Sequence, residues 1–440
     1  MAPVPGYESA PAGAKRETMT QLPVHVVPDP RRVVIRPFEP SEIDPPSGRA
    51  DRVAGRVLGL DRDALALELA QVVSDLAARH PDVDRVLLER FDAVNGSIIA
   101  RCTPSVDQAR LIGAYFSEEY SFEAGAVLNP SIVVHPDQIH VAAGALRFIL
   151  SLRCIGEGGV SSVTFRTGIW TAEGAIALDA PSPLALSPRI ASLPTGEPDD
   201  GHIRLTFDRD RDLSEVVIFP ITAEQRHGIE DLRLIRFVED DGQASYRGTY
   251  VAFSGIGIRQ ELLRTDDFTT FDLSPLTGDA ADNKGMALFP RKVNGRYAAL
   301  ARKDHENLWF VQSDTMDHWG GGQIAIAPRW PWEFVQLGNC GAPIEIAEGW
   351  LVITHGVGAV RNYCLGACLL DKEDPGKLLA RTTAPLLRPA GAERDGYVPN
   401  VIYSCGSLLR DRTLLMPYAV ADSFTAFATV NVDELLKTMA

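Results

Sequence analysis

The chain has 440 residues, 45% of them hydrophobic and 23% charged, and carries a formal net charge of -15. That length exceeds one small core and calls for two or three domains or one large repeat architecture, with the composition of an ordinary globular protein. The acidic balance has no offsetting basic stripe, which argues against a nucleic-acid surface. No apolar run approaches the roughly 18 residues of a membrane span.

The first residues, MAPVPGYESAPAGAKRETMT, lack an apolar segment after their positive charges, so no secretory signal is expected. The six cysteines (102, 154, 340, 364, 368 and 405) lie in apolar surroundings without CxxC spacing. They are predicted to be buried free thiols of a reducing compartment, which makes cytoplasmic localisation the expectation. The histidines are dispersed, and no HxxxH or paired Asp-x-Asp loop occurs, so no metal site is expected.

Residues 1–50 are rich in Pro, Gly and charge and read as an extended arm, disordered at its start, with one strand-like run at 32–37. From Asp61 the apolar residues Leu65, Leu69, Val72, Val73 and Leu76 recur at helical steps, with Asp61 as N-cap and Pro81 as the stop. Further helices are predicted over 82–94 and 105–120. One apolar stripe on this region fits a scaffold packed on the rest of the chain or an oligomer interface.

After Ala126 the pattern changes to short apolar runs separated by Gly, Asp and Pro turns. Five units recur, each a strand, a turn, a second strand and an acidic turn; their first strands are 148–152, 250–253, 297–300, 350–354 and 414–418. Where the units are close the interval is about 50 residues, a period typical of propeller blades. The wider gap after the first unit is read as an extra hairpin, 202–205 with 216–219. The predicted fold is therefore all-β, a five-bladed β-propeller over residues 126–440, with an N-terminal arm and α-helical extension over residues 1–125.

The stretch RHGIEDLR (226–233) places two carboxylates and two guanidinium groups just ahead of a strand-like run. Acids beside arginines at a strand edge hold an ionisable group at a defined place and pKa, although a structural ion-pair cluster would look the same. A propeller brings the starts of its innermost strands to one axial pocket, so candidates from distant repeats can meet there. Asn129, Arg153, Arg166, Asp231, Arg233, Lys284, Asn339, His355, Asn400 and Asp422 fall at such positions. Arg153 and Arg166 end apolar strands, where an inward guanidinium needs an acceptor. Lys284 also fits a solvated turn, and His355 a hydrogen-bonded core histidine. Trp330-Pro331-Trp332 reads as a sugar-stacking wall or as simple loop packing.

IEDLR (229–233), NKGMALFPR (283–291), GNCGAPIEIAEGWLVITHGVG (338–358), YCLGACLLDKEDP (363–375) and GYVPNVIYSCG (396–406) resemble, in this order, the signatures of glycoside hydrolase family 130. That family holds inverting mannoside phosphorylases and mannosidases. The resemblance covers roughly residues 126–440, and the stretch 111–138 with the helices before it is similar to a longer-chain subset. It implies single-displacement inversion on a β-mannoside oligosaccharide, with inorganic phosphate as co-substrate, no cofactor, and α-mannose 1-phosphate as product. Asp231 would be the catalytic acid, protonating the glycosidic oxygen through a hydroxyl of the mannosyl ring. Asn129, Arg153, Arg166, Glu230, Arg233, Asn339 and Asp422 would bind the sugar, and Arg259, Lys284 and His355 the phosphate. Neither nucleic acid nor a membrane is an expected partner; a homo-oligomer would use the helices.

Two departures bear on the chemistry. Leu232 replaces the usual proline of the acidic motif. Leu300-Ala301-Arg302-Lys303 stands where many phosphorylases read Leu-His-Arg-Pro, so a histidine that helps hold phosphate is absent. The alternative is an inverting β-mannosidase, which needs a second carboxylate roughly 6.5–9.5 Å from the acid; Glu230, Glu345 and Asp422 are available. A non-catalytic glycan-binding propeller would not need Asp231, Arg233 and Lys284 together.

Overall fold

The computed structural model of the chain describes residues 18–38, 48–98, 103–192, 201–208 and 210–440. The expected disorder at the start of the arm, and Cys102, lie outside these residues. The other five cysteines are buried and free.

The strand pairs expected from the repeats are antiparallel hairpins. They join Leu146–Ile155 to Ser161–Trp170, Ala244–Phe253 to Ile258–Thr265, Tyr297–Ala301 to Leu308–Ser313, Gly349–Val357 to Tyr363–Leu370, and Thr413–Val420 to Phe424–Asn431. Each hairpin carries a preceding strand on its inner side: Ala126–Val134, Gly228–Val238, Ala287–Leu288, Gln336–Asn339 and Ile402–Tyr403. One parallel bridge, Gly228 opposite Ser161, links the first two sheets.

Period-2 alternation gives every sheet two apolar faces. In Tyr297–Ala301, Ala299 and Ala301 pack with Ile235 and Phe237 of the preceding sheet, whereas Ala298 and Leu300 pack with Trp350 and Val352 of the next. In Thr413–Val420, Leu414 and Met416 face Leu351 and Ile353, while Leu415 turns to Phe148, Leu150 and Leu152 of the first sheet. The last sheet thus packs on the first, and the architecture is a β-propeller.

The extra hairpin expected at 202–219 does not form. Ile203–Thr206 pairs with Thr270–Pro275 and Arg189–Ser192, and Val217–Ile218 pairs instead with Ser161–Trp170. The arm also differs from expectation. Met19–Val26 is a strand on the outer edge of the final sheet, paired with Phe424–Asn431. Its Pro23 lies within a register shift between Leu22 and His25, a position where an edge strand tolerates a missing N–H.

Four helices follow: α1 (Arg49–Leu58), α2 (Arg62–Ala77), α3 (Val83–Ile98) and α4 (Val106–Tyr115). Asp61 caps α2 as expected, its Oδ1 accepting from Ala64 N at 2.9 Å. The third predicted helix is shorter than 105–120, because residues 117–121 leave it to form a strand, Ser117–Ser121, against Val33–Pro37. The helices share their own core, including Ala54, Leu69, Phe91, Leu111 and Ile112. Close approach of α3 and α4 requires Gly113, where an added Cβ would lie 1.9 Å from Leu87 O. Val34, Tyr120 and Phe122 then bury the two-stranded ribbon against the first and last propeller sheets.

Candidate active site

The innermost strands bring their polar residues together. Asn129 and Asp231 lie at register shifts in Ala126–Val134 and Gly228–Val238, with φ of 47° and 56°. Left-handed backbone costs roughly 1–3 kcal/mol, least for Asn and Asp, and re-aims a side chain that regular pleating would point into a sheet interface. Asn129 Nδ2 donates to Asp231 Oδ1 at 2.6 Å. Arg153, from the neighbouring strand, bridges Asp231 (3.2 Å) and Glu230 (2.8 Å). Lys284, just before Ala287–Leu288, reaches Glu230 Oε2 at 2.5 Å.

Arg233 is the hub. Its Nε donates to Asn339 Oδ1 at 3.1 Å and its Nη2 to Tyr403 Oη at 2.6 Å, while Asn339 Nδ2 donates to Gly285 O at 2.6 Å. One connected network therefore spans all the innermost strands. Leu232, where the family motif has proline, is buried in the core; its Cδ1 would be 2.6 Å from a Cβ on Gly248, so a glycine makes the space for it.

Electrostatics separate the two aspartates. Burial pushes the Asp231 carboxyl up, but Arg153, Arg233, the Asn129 amide and Lys284 together outweigh it and hold the pKa below the ordinary value. Burial raises Asp422 to about 6, opposed by Arg153 and Arg361 and reinforced by Asp231 and Glu230. Asn129 Oδ1 and Arg153 Nε are buried with no hydrogen-bond partner among the described residues. Polar atoms left open beside charged groups are what a ligand would satisfy.

Not every expected residue joins this cluster. Arg166 turns away to Glu123, at 2.6 and 2.8 Å, and Glu123 also pairs with Arg32 of the arm; all three are almost fully buried. Arg259 pairs with Glu261, which in turn accepts from Tyr250 and Gln225. His355 is buried in the wall of the site. Its Nδ1 faces Asn339 O at 3.1 Å and its Nε2 faces Gln336 Nε2 at 3.2 Å, and its ring lies against Tyr363 and Tyr403. Burial, with Arg302 and Arg233 nearby, lowers its pKa to about 3, so it is neutral. Glu345 is held by Arg291 and Lys372, and the hydrogen bond from Arg291 leads in lowering it to about 2. The Asn400 side chain accepts from Arg394. Trp332 packs over Gly356 and Gly366, which fits the loop-packing alternative for the tryptophan pair. Among the described residues no cluster of metal-ligating side chains occurs.

Two residues of the site were not singled out from sequence, Tyr403 and Arg302. Arg302 follows the apolar strand Tyr297–Ala301, and the signal was the one that marked Arg153 and Arg166: a guanidinium ending an apolar strand needs an acceptor. Burial lowers its pKa, Tyr403 opposes this, and the Arg233 charge adds to it.

A family model described as β-1,4-mannooligosaccharide phosphorylase, of glycoside hydrolase family 130, matches residues 204–440. A 1,2-β-oligomannan phosphorylase of Thermoanaerobacter sp. (strain X514) is 32% identical over 231 residues, 51% of this chain and 75% of that enzyme. A β-1,2-mannobiose phosphorylase of Listeria innocua is 32% identical over 247 residues, 54% of this chain and 65% of that enzyme. The Listeria innocua β-1,2-mannobiose phosphorylase structure, in complex with β-1,2-mannobiose, superposes with a TM-score of 0.51 at 21% identity, covering 71% of this chain and 92% of that one. The class so defined is an enzyme acting on glycosides, built on a β-propeller. The chain belongs to glycoside hydrolase family 130.

Proposed function

We propose that the protein is an inverting β-mannoside phosphorylase on a five-bladed propeller, with Asp231 as general acid. The observation that carries this is the excess of cation around Asp231. Arg153, Arg233 and Lys284 act on it, while Glu230 is already shared between Arg153 and Lys284. An acid held below its ordinary pKa is deprotonated in the resting site. A phosphate dianion seated on those cations cancels their field and restores the proton. Water offers no such compensation, so the same charge pattern disfavours hydrolysis.

Phosphate attacks the anomeric carbon from the face opposite the leaving group. The C1–O bond breaks, the departing oxygen takes the Asp231 proton through a sugar hydroxyl, and α-mannose 1-phosphate forms. Asn129, Asn339, Arg153, Arg233, Glu230 and Asp422 hold the sugar and the acid, and Lys284 meets the anion. Arg166 and Arg259, paired with Glu123 and Glu261, and His355, held by Asn339 and Gln336, are left out of the set. The names of the relatives, which act on β-1,2- and β-1,4-linked mannosides, support the substrate class.

The five innermost strands and their hairpins, each packing on the next, support the blade count. The division at residue 125 is retained for the helices, with Met19–Val26 counted as part of the propeller. A second reading, inverting hydrolysis with Asp422 as base, draws on one feature: a carboxylate with a pKa near 6 is an effective base at neutral pH. Incubation of β-1,2- and β-1,4-mannobiose with and without phosphate, followed by identification of the released sugar, separates the two.

A further inference from the structure

Pairing of Leu300 with Ala287 and of Ala299 with Leu288 sets the register of the third sheet. Two steps further, Arg302 comes level with Gly285, whose carbonyl accepts from Asn339 and whose neighbour is Lys284. Arg302 Nε is buried with no hydrogen-bond partner, and among the described residues no carboxylate pairs with its guanidinium. The groups whose charge acts on it are Tyr403, Arg233, Tyr363 and, least, Asp231, and its own charge acts on His355. His355 is neutral and Arg233 is a cation. Ala301, where a histidine would otherwise help, is fully buried in the apolar cluster with Ile235, Leu288 and Val311.

A half-buried guanidinium beside a second guanidinium, with no anion of its own, is unfavourable unless a ligand completes it. Lys284 is matched by Glu230 and Arg153 by Glu230 and Asp231, and Arg233 spends its donors on Asp231 O, Asn339 and Tyr403. We infer that Arg302 is an anion-binding residue of the site, clamping the oxygens of inorganic phosphate together with Lys284 and standing in for the histidine that Ala301 removes. Its planar fork suits two phosphate oxygens at once. The assignment rests on the phosphorylase reading, and it adds a residue and a binding mode to that reading.

The test uses the full-length protein with Arg302→Gln and Arg302→Lys. Phosphate binding to the resting enzyme is followed by calorimetry and by thermal shift, and KM values for phosphate and mannobiose by initial rates. Arg302→Gln is expected to weaken phosphate about 10- to 100-fold, the scale of one charge-assisted contact, with the mannobiose KM within about threefold. Arg302→Lys should recover part of the loss. Without phosphate, Arg302→Gln should melt no lower than the parent, because an unpaired cation has gone. In saturating phosphate it should melt lower than the parent. A merely structural arginine would lower the melting temperature in both conditions, and that result would overturn the assignment. So would unchanged phosphate binding in a folded variant. Phosphate-independent turnover by the parent protein would count against the phosphorylase reading, while the calorimetric arm would still decide whether Arg302 binds the anion.

Discussion

Asn129 Nδ2 donates to Asp231 Oδ1 at 2.6 Å, and both residues stand at positive φ, at register shifts of innermost strands in adjacent sheets. Two irregularities in neighbouring strands thus aim one amide and one carboxylate at the same point. Backbone strain of this kind is retained where the surrounding structure holds it in place, and here it orients the proposed acid. Asp231→Asn keeps the shape and tolerates the same φ, but has no proton to donate. Turnover on an unactivated mannoside should fall at least about a hundredfold, with the far-ultraviolet spectrum unchanged. Near-normal turnover by this variant would remove Asp231 from the mechanism.

Anion binding and protonation of Asp231 should be linked. Arg153, Arg233 and Lys284 hold its pKa down in the resting site, and an anion that screens them lets it rise. Phosphate binding measured near pH 6 in buffers of different ionisation enthalpy should therefore show net proton uptake beyond that of phosphate itself. The excess should vanish in Asp231→Asn. Uptake equal in both proteins would break the link.

Asp422 gives a stability signature of opposite sign to the usual carboxylate. Its folded pKa, about 6, lies above its ordinary 3.8. The folded state therefore holds the proton more tightly, and the contribution is fully present below about pH 4 and is lost as pH rises through 6. Asp422→Asn should melt higher than the parent at pH 7–8, the difference shrinking toward pH 4. A variant that melts lower at pH 8 by as much as at pH 4 would contradict the burial argument.

His355 should behave as a structural group. Loss of its contacts to Asn339 and Gln336 is expected to cost about 1–3 kcal/mol in His355→Phe, measured by denaturant unfolding, with the phosphate KM within about threefold in the surviving fold. A large rise in phosphate KM with full stability would restore it to the anion site.

Much of the propeller was readable because hairpins announce themselves. Gly349–Val357 and Tyr363–Leu370, for example, are long apolar runs around a turn, and their pairing follows from period and spacing. The innermost strands were not readable as strands. Ala287–Leu288 and Ile402–Tyr403 are two residues each, and the register shifts at Asn129 and Asp231 break alternation where the site lies. Met19–Val26 was hidden by Pro23 and by a partner at the far end of the chain. Arg153 and Arg166 look alike in sequence, each following an apolar run. They differ in which acid is near, Glu230 and Asp231 for one and Glu123 for the other, and that depends on tertiary structure. The charge state of His355 likewise depends on burial, which a single chain does not display.

The arm closes the ring. Deleting residues through Val26 removes the edge strand from Phe424–Asn431 and uncovers the last sheet. The melting temperature should drop, by roughly 2–4 °C for each kcal/mol lost. A truncated protein that melts with the parent would show that the edge contributes nothing to closure.

The measurement closest to the central claim is the phosphate dependence of β-mannoside cleavage. Purified full-length protein is given β-1,2- or β-1,4-mannobiose in phosphate-free buffer and then in millimolar phosphate, and the products are resolved by ³¹P and ¹H NMR. The account predicts mannose and α-mannose 1-phosphate in equal amounts with phosphate, and no turnover without it. Free mannose as the sole product, at full rate in phosphate-free buffer, would contradict it.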